Sequence, residues 1–505
     1  MTFAKNRSVK TPETAGVNAP DFEVAIIGAG FGGLGMGIRL KRAGQDDFVI
    51  FERAAELGGT WRDNVYPGCA CDVPSLVYSF SFDQNPNWSR KYASQPEILA
   101  YLKQCAERFD VGSHIRFNAE VTYLAFDEAA GYWHVSTRDG DSVTAGVVVL
   151  AMGPLNRPNI PALPGADTFA GEAFHSSQWD PDFRPEGKRI AVMGTGASAI
   201  QIVPALAGKA AQLYVLQRTP PWILPRDDRP RAELVRRLFR RVPAVQSLAR
   251  ILQYWMMEIR VLSFLGNEFM NRAGTNLARK HLEQSVANPE LRQALTPDYK
   301  LGCKRVLSSD DYYPALQQSD VELVTAGVDW IEADAIVSTD GQVRPVDAII
   351  FATGFVASEF LLDMKICGRN GRELLAEWQE TGPEAYLGLS VSGYPNLFFV
   401  LGPNTGLGHN SVLHMMESQY NYILDYLRLL EQEGVAYLDV KPEAQAQFND
   451  DLQARLATTV WQAGGCKSWY QTAAGKNTTL WPGSTAGYRL RTRGVDAAAY
   501  EWDGE

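Results

Sequence analysis

An α/β chain carrying two dinucleotide-binding units is what this sequence predicts, and three observations predict it. A strand, a glycine-rich turn and a helix occur at 22–43 and recur in the same order near 188–206. Each copy closes with a second apolar strand that ends at a charged residue, Glu52 in the first and Arg218 in the second, 24 residues past the first glycine of its turn. Each copy is followed by another apolar strand running into glycine, VVVLAMG at 147–153 and DAIIFATG at 347–354. Strands alternating with helices read as parallel sheet.

The first copy reads FEVAIIGAGFGG, with Gly28, Gly30 and Gly33 in the spacing of a dinucleotide turn. Gly28 permits the tight turn, Gly30 lets backbone approach a pyrophosphate, and Gly33 lets the helix pack close to the sheet. The helix N-terminus then faces the anion. Glu52 suits the free hydroxyls of a ribose. The second copy opens its helix with Gly194-Thr195-Gly196-Ala197-Ser198-Ala199, alanine replacing the third glycine. A carboxylate would repel a 2′-phosphate and a guanidinium would clamp one. The first unit is therefore expected to take FAD and the second NADPH, with Thr219 and Lys304 adding contacts to the phosphate.

Composition bounds the rest. The 505 residues suggest two or three domains, and 46% hydrophobic with 21% charged residues is a globular mix. A net charge of -10 argues against a general nucleic-acid partner. Six cysteines without framework spacing fit a reducing cytoplasm, and Cys69-x-Cys71 matches neither a redox nor a zinc pair. The histidines offer no metal-binding spacing, so no metal is expected.

The expected organisation is a disordered lead-in at 1–20, an FAD-binding domain from 21–155 plus 385–505, and an NADP-binding domain at 156–384. A helical insertion at 223–310 interrupts the latter. Eight arginines fall between 226 and 250, followed by the strongly apolar ILQYWMMEIRVLSFL. The reading is a helical unit with its own core and a basic solvated face, or else a lid over substrate; a membrane-surface contact ranks below the lid, and no stable membrane insertion is expected.

Two further segments carry chemistry. GGTWRDNVYPGCACD at 58–72 supplies Gly59, Thr60, Trp61, Tyr66, Pro67, Gly68 and Asp72. FAGEAFHSSQWD at 169–180 supplies Phe169, Gly171, His175, Trp179 and Asp180. With the two nucleotide turns, these resemble the Baeyer–Villiger monooxygenases, class B flavin-dependent enzymes, over residues 21 to about 420. The tail from 465 resembles one subgroup only.

That resemblance implies oxygen insertion into ketones to give esters or lactones, with O2 activated as a flavin C4a-peroxide that forms a tetrahedral adduct with the ketone. It implies that Arg305, in KLGCKRVLSSDD, is the active-site arginine and also contacts NADP, and that Asp72, beside the FAD, pairs with it. A guanidinium suits the role because it stays charged at every working pH. Thr60, Trp61 and Tyr78 are expected around the flavin, Val121 at the adenine, and 402–411 near flavin or substrate. His175 is read as a hinge or domain-coupling residue. An N- or S-oxygenating flavin monooxygenase, with sulfides as substrates, is the alternative. A disulfide reductase lacks its cysteine pair here, and a non-catalytic flavin sensor would not need Arg305 and Asp72. A monomer or homodimer is expected.

Overall fold

The structure, a computed structural model, describes residues 19–356, 361 and 363–503; most of the expected lead-in lies outside them. Two sheets organise the chain. The first runs Lys365–Cys367, Val121–Asp127, Tyr132–Thr137, Ser142–Leu150, Phe22–Ile27, Phe48–Phe51, Ile115–Arg116 from edge to edge, and Leu397–Phe399 also pairs with Ser142–Leu150. The central strands are parallel, with Ile26 opposite Ile50 on one side and Val149 on the other. These strands are continuous apolar runs because both faces are covered. The second sheet is wholly parallel and runs Val321–Val324, Gln212–Leu216, Arg189–Met193, Ala348–Phe351, Glu172–His175.

The chain rejoins the first sheet earlier than residue 385. Lys365–Cys367 pairs in parallel with Val121–Asp127, and Leu374 and Trp378 pack into the same core. Strand pairing thus moves 365–384 out of the second unit, in which the sequence reading had placed them. Sequence pattern missed this because a three-residue edge strand carries no periodicity.

The helix Phe31–Ala43 covers the first sheet and is itself covered by Val412–Glu433. Gly35 makes the crossing possible: a Cβ there would lie 2.4 Å from the Tyr420 hydroxyl, which donates to the Phe31 carbonyl at 3.0 Å.

Between the strands of the second sheet sits a run of helices, among them Glu233–Arg241, Pro243–Glu258 and Glu268–Ser285. Its base is closed where Ile223 and Leu224 pair in parallel with Leu307 and Ser308. The apolar segment expected to form a private core does so only in part. Met257, Val261 and Phe264 are buried, but Leu248, Ile251, Leu252, Trp255, Met256 and Ile259 are exposed. The inner face is instead polar and tied to the first unit. Arg250 donates through Nη1 to the carbonyls of Leu76 and Ser79, and Gln246 donates to the Asn85 carbonyl. These bonds tie the helix to the first unit.

Candidate active site

Two glycine turns set up two nucleotide cradles. A Cβ on Gly28 would meet the Ala151 carbonyl oxygen at 2.7 Å, and one on Gly33 would meet the Gly28 oxygen at 1.8 Å. Neither position tolerates a side chain. Around Gly30 the nearest atom to such a Cβ is the Gly59 Cα, at 3.7 Å. The two glycine backbones lie against each other, and the helix beginning at Phe31 has no side-chain cap, which leaves its first N–H groups for a pyrophosphate. Glu52, at the end of its strand, accepts from Ala29 N at 2.9 Å, Ala54 N at 3.0 Å and Arg62 Nη1 at 2.9 Å. The Ala119 N–H bonds the Glu52 carbonyl, which brings Val121 to the same end of the sheet. Trp61 donates to the Tyr78 hydroxyl at 3.1 Å, and Thr60 starts the short helix that carries Trp61.

In the second cradle a Cβ on Gly194 would lie 2.5 Å from the Ala352 oxygen, whereas one on Gly196 would meet nothing within 4 Å. Backbone there is open to an approaching anion, while Ala199 is fully buried against the sheet. Ala197 is exposed and Ser198 half-buried at the head of the helix Ala199–Leu206. Thr195 Oγ1 donates to the Thr219 carbonyl at 3.0 Å, tying the turn to the strand end that carries Arg218. Arg218 is exposed. Lys304 lies with its Nζ 5.1 Å from the centre of the Tyr299 ring. Burial, and then the charge of Arg218, push its ammonium below the usual lysine range. Two cations are therefore held near one another, which favours an anionic ligand between them. The donor sets of both cradles fit FAD and NADP.

The catalytic candidates meet between the two units. Arg305 donates from Nε and Nη2 to Asp72 Oδ2, at 2.9 and 2.5 Å. Both bonds go to one oxygen, so Nη1 takes no part in the pair. The side chains are 34% and 28% exposed. The Asp72 carboxylate raises the guanidinium above its ordinary range against the opposing cost of burial. Arg305 is therefore a permanent cation, partly open to solvent.

Three contributors escaped the sequence reading. Gln201, on the second nucleotide helix, accepts from Tyr66 at 3.1 Å and donates to the Ala70 carbonyl at 3.0 Å. A Cβ on Gly68, whose φ is +83°, would lie 2.8 Å from the Gln201 carbonyl oxygen. The Tyr-Pro-Gly run thus lets the second unit's helix lie against the loop bearing Asp72. Tyr470 is buried, and burial pushes its phenol up to about 12. The charges of Arg305 and Asp72 both act on it. Cys303 and Cys466 form a disulfide that pins the tail beside Arg305, where the absence of framework spacing had pointed to a reducing setting. No spacing rule connects two cysteines 163 residues apart. Cys69 and Cys71 are free and buried, and burial pushes both thiols up, away from thiolate chemistry.

The linker segment has a structural account. Gly171 passes so close to the Asp347 carbonyl, and to the ring of Phe169, that a Cβ would lie 2.4 Å from that oxygen. Trp179 packs edge-on against Phe174 and Phe183, while Asp180 turns the chain by accepting from Asp182 N. His175 is fully buried, and burial pulls its imidazole down, leaving it neutral. Ser177 N–H donates to Nδ1 at 3.2 Å, which places the proton on Nε2, 2.9 Å from the Gly354 carbonyl. That carbonyl also accepts from Asn159 N. Pro158 and Phe355 bridge beside it, so the two passages of chain between the units are fastened at one point. His175→Ala is expected to cost about 1–2 kcal/mol of stability by removing a buried ring and its hydrogen bond to the Gly354 carbonyl, read as a lower unfolding midpoint in denaturant.

With this geometry in view, comparisons with known proteins are specific. Residues 21–374 match the flavin-binding monooxygenase-like family model. A Baeyer–Villiger monooxygenase of Pseudomonas aeruginosa is 50% identical over 479 residues, 95% of this chain and 91% of that one. A closed crystal structure of cyclohexanone monooxygenase superposes with a TM-score of 0.84 at 29% identity, covering 95% of this chain and 99% of the other. The complex of OTEMO with FAD and NADP gives 0.84 at 28% identity, covering 96% and 100%. The chain belongs to the flavin-binding monooxygenase-like family, among its Baeyer–Villiger monooxygenases.

Proposed function

We propose that this protein is an NADPH- and FAD-dependent Baeyer–Villiger monooxygenase that inserts one oxygen atom of O2 into a ketone, giving an ester or lactone and water. The observation that carries the reading is Arg305 held by Asp72 where the two nucleotide units meet. Bound FAD supplies hydride acceptance and the activation of O2.

The protein's own part is positioning and electrostatics. Arg305 offers a fixed positive charge to the negative charge that develops on oxygen as it is transferred. Asp72 orients the guanidinium through two bonds to one carboxylate oxygen, leaving Nη1 for the reacting group. Gln201 keeps the Tyr66–Ala70 loop against the second unit, so that a nucleotide held at Gly194–Ala199 faces the flavin side. Tyr470 adds a buried phenol on which the charges of Arg305 and Asp72 act.

A cytoplasmic setting belongs to the proposal. Of the Cys303–Cys466 disulfide, the Cys303 sulfur is buried and Cys466 is half-buried, so a reductant would have to enter from the Cys466 side. The test is a broad ketone panel with the purified holoenzyme. Ketone is expected to accelerate NADPH oxidation and to yield ester or lactone. Sulfoxides from sulfide substrates, with no ester from any ketone, would overturn the assignment in favour of an S-oxygenating enzyme.

A further inference from the structure

The helix Pro243–Glu258 presents an apolar stripe to solvent that no part of the described chain covers. Leu248, Ile251, Leu252, Trp255, Met256 and, just beyond its end, Ile259 recur at helical spacing and are each more than half exposed. Contiguous exposed apolar surface of this kind marks an interaction face. Rotation cannot hide it. The opposite face is fixed by Gln246, Arg250 and Glu258, the last accepting from Asn410 at 2.6 Å and Thr485 at 2.8 Å.

Cations border the stripe. The preceding helix, Glu233–Arg241, carries Leu234, Arg237, Leu238 and Arg241 on one face, all exposed. Its single carboxylate, Glu233, is already shared among Arg236, Arg237 and Arg240. On the other side, Trp255 lines a cleft of about 660 Å³ together with Arg489, Leu490 and Arg493. Leu490 is itself 73% exposed. This positive collar stands out on a chain whose net charge is -10.

We propose that this face docks the enzyme on a membrane surface rich in anionic lipid, the stripe entering the acyl boundary and the arginines meeting headgroup phosphates. Attachment is peripheral: no helix of the described residues is long and apolar enough to cross a membrane. A second copy of this chain is the poorer occupant. Symmetric pairing of the face would bring the arginines of one collar, Arg237, Arg241, Arg489 and Arg493, against arginines of the other. The negative remainder of the molecule would be repelled by the same lipid, which orients docking through this face alone.

The holoenzyme is tested by co-sedimentation with vesicles of phosphatidylcholine alone, or with about one quarter phosphatidylglycerol. Binding to the anionic vesicles is expected, with little to the neutral ones. It should be lost in about 1 M salt, where the screening length shrinks to about 3 Å. The exposed double variants Leu252→Gln/Trp255→Gln and Arg237→Glu/Arg241→Glu should each weaken binding on the order of tenfold while keeping their flavin. Absence of binding to either vesicle, or equal binding to both, would overturn the proposal. So would a homodimer that the Leu252→Gln/Trp255→Gln change dissolves.

Discussion

Arg305→Ala is expected to leave flavin reduction by NADPH nearly intact and to lower ester formation by about 10²–10³-fold. The split follows from where the side chain sits. On the proposed reading the Gly194–Ala199 turn and Arg218 take the nucleotide phosphates, whereas Arg305 is fixed on Asp72, with one guanidinium nitrogen outside the pair. Hydride transfer makes no demand on a cation for a developing oxyanion; carbonyl attack does. Arg305→Lys keeps the charge but not the planar fork that donates two bonds to one carboxylate, and should recover only part of the lost rate. Removing Asp72 should also slow ester formation, because the guanidinium loses its orientation. The Arg305/Asp72 double variant should then fall short of the summed losses, as for residues acting as one unit. Anaerobic rapid mixing reads the reduction step, and product analysis reads the ester. Near-normal ester from Arg305→Ala would remove this residue from the chemistry.

What the sequence disclosed depended on the reach of each constraint. The glycine turns were legible because their requirements are local: a Cβ at Gly33 collides with an atom five residues away, and spacing alone exposes that. Arg305 and Asp72 lie 233 residues apart. No residue pattern joins them, and only the resemblance to a family did so. Gln201 was hidden for a similar reason. It reads as an ordinary helix residue until the fold sets it against Tyr66 and Ala70. The disulfide and Tyr470 depend on how the tail returns to the site, and nothing in its composition sets that path. In the helical insertion the apolar segment was expected to supply a core, yet much of it is exposed. Hydrophobic periodicity identifies a stripe without saying what covers it, and here Arg250, Gln246 and Glu258 claimed the inner side.

Arg218→Ala is expected to weaken NADPH by about 10–100-fold and to leave NADH nearly unchanged, a range that follows from losing about 1.5–3 kcal/mol of charge-assisted hydrogen bonding. Arg218 stands at the end of its strand, exposed, and forms no ion pair among the described residues. Its position matches that of Glu52 in the first unit, where the carboxylate is closed in by Ala29, Ala54 and Arg62. The same topological point thus carries opposite charges with opposite surroundings: one satisfied by the protein, the other left open. Lys304 strengthens the case, since its ammonium is destabilised by burial and by Arg218. A 2′-phosphate placed between the two would relieve that repulsion, whereas a ribose hydroxyl would not. Lys304→Ala should therefore shift the preference in the same direction by a smaller factor, because the remaining guanidinium still holds the phosphate. The measurement is KM and kcat for each nucleotide at fixed ketone and fixed salt. Loss should fall on KM for NADPH, as for an interaction made equally in the ground and transition states. Equal weakening of both nucleotides would mean that Arg218 supports the fold of the turn instead of reading the phosphate.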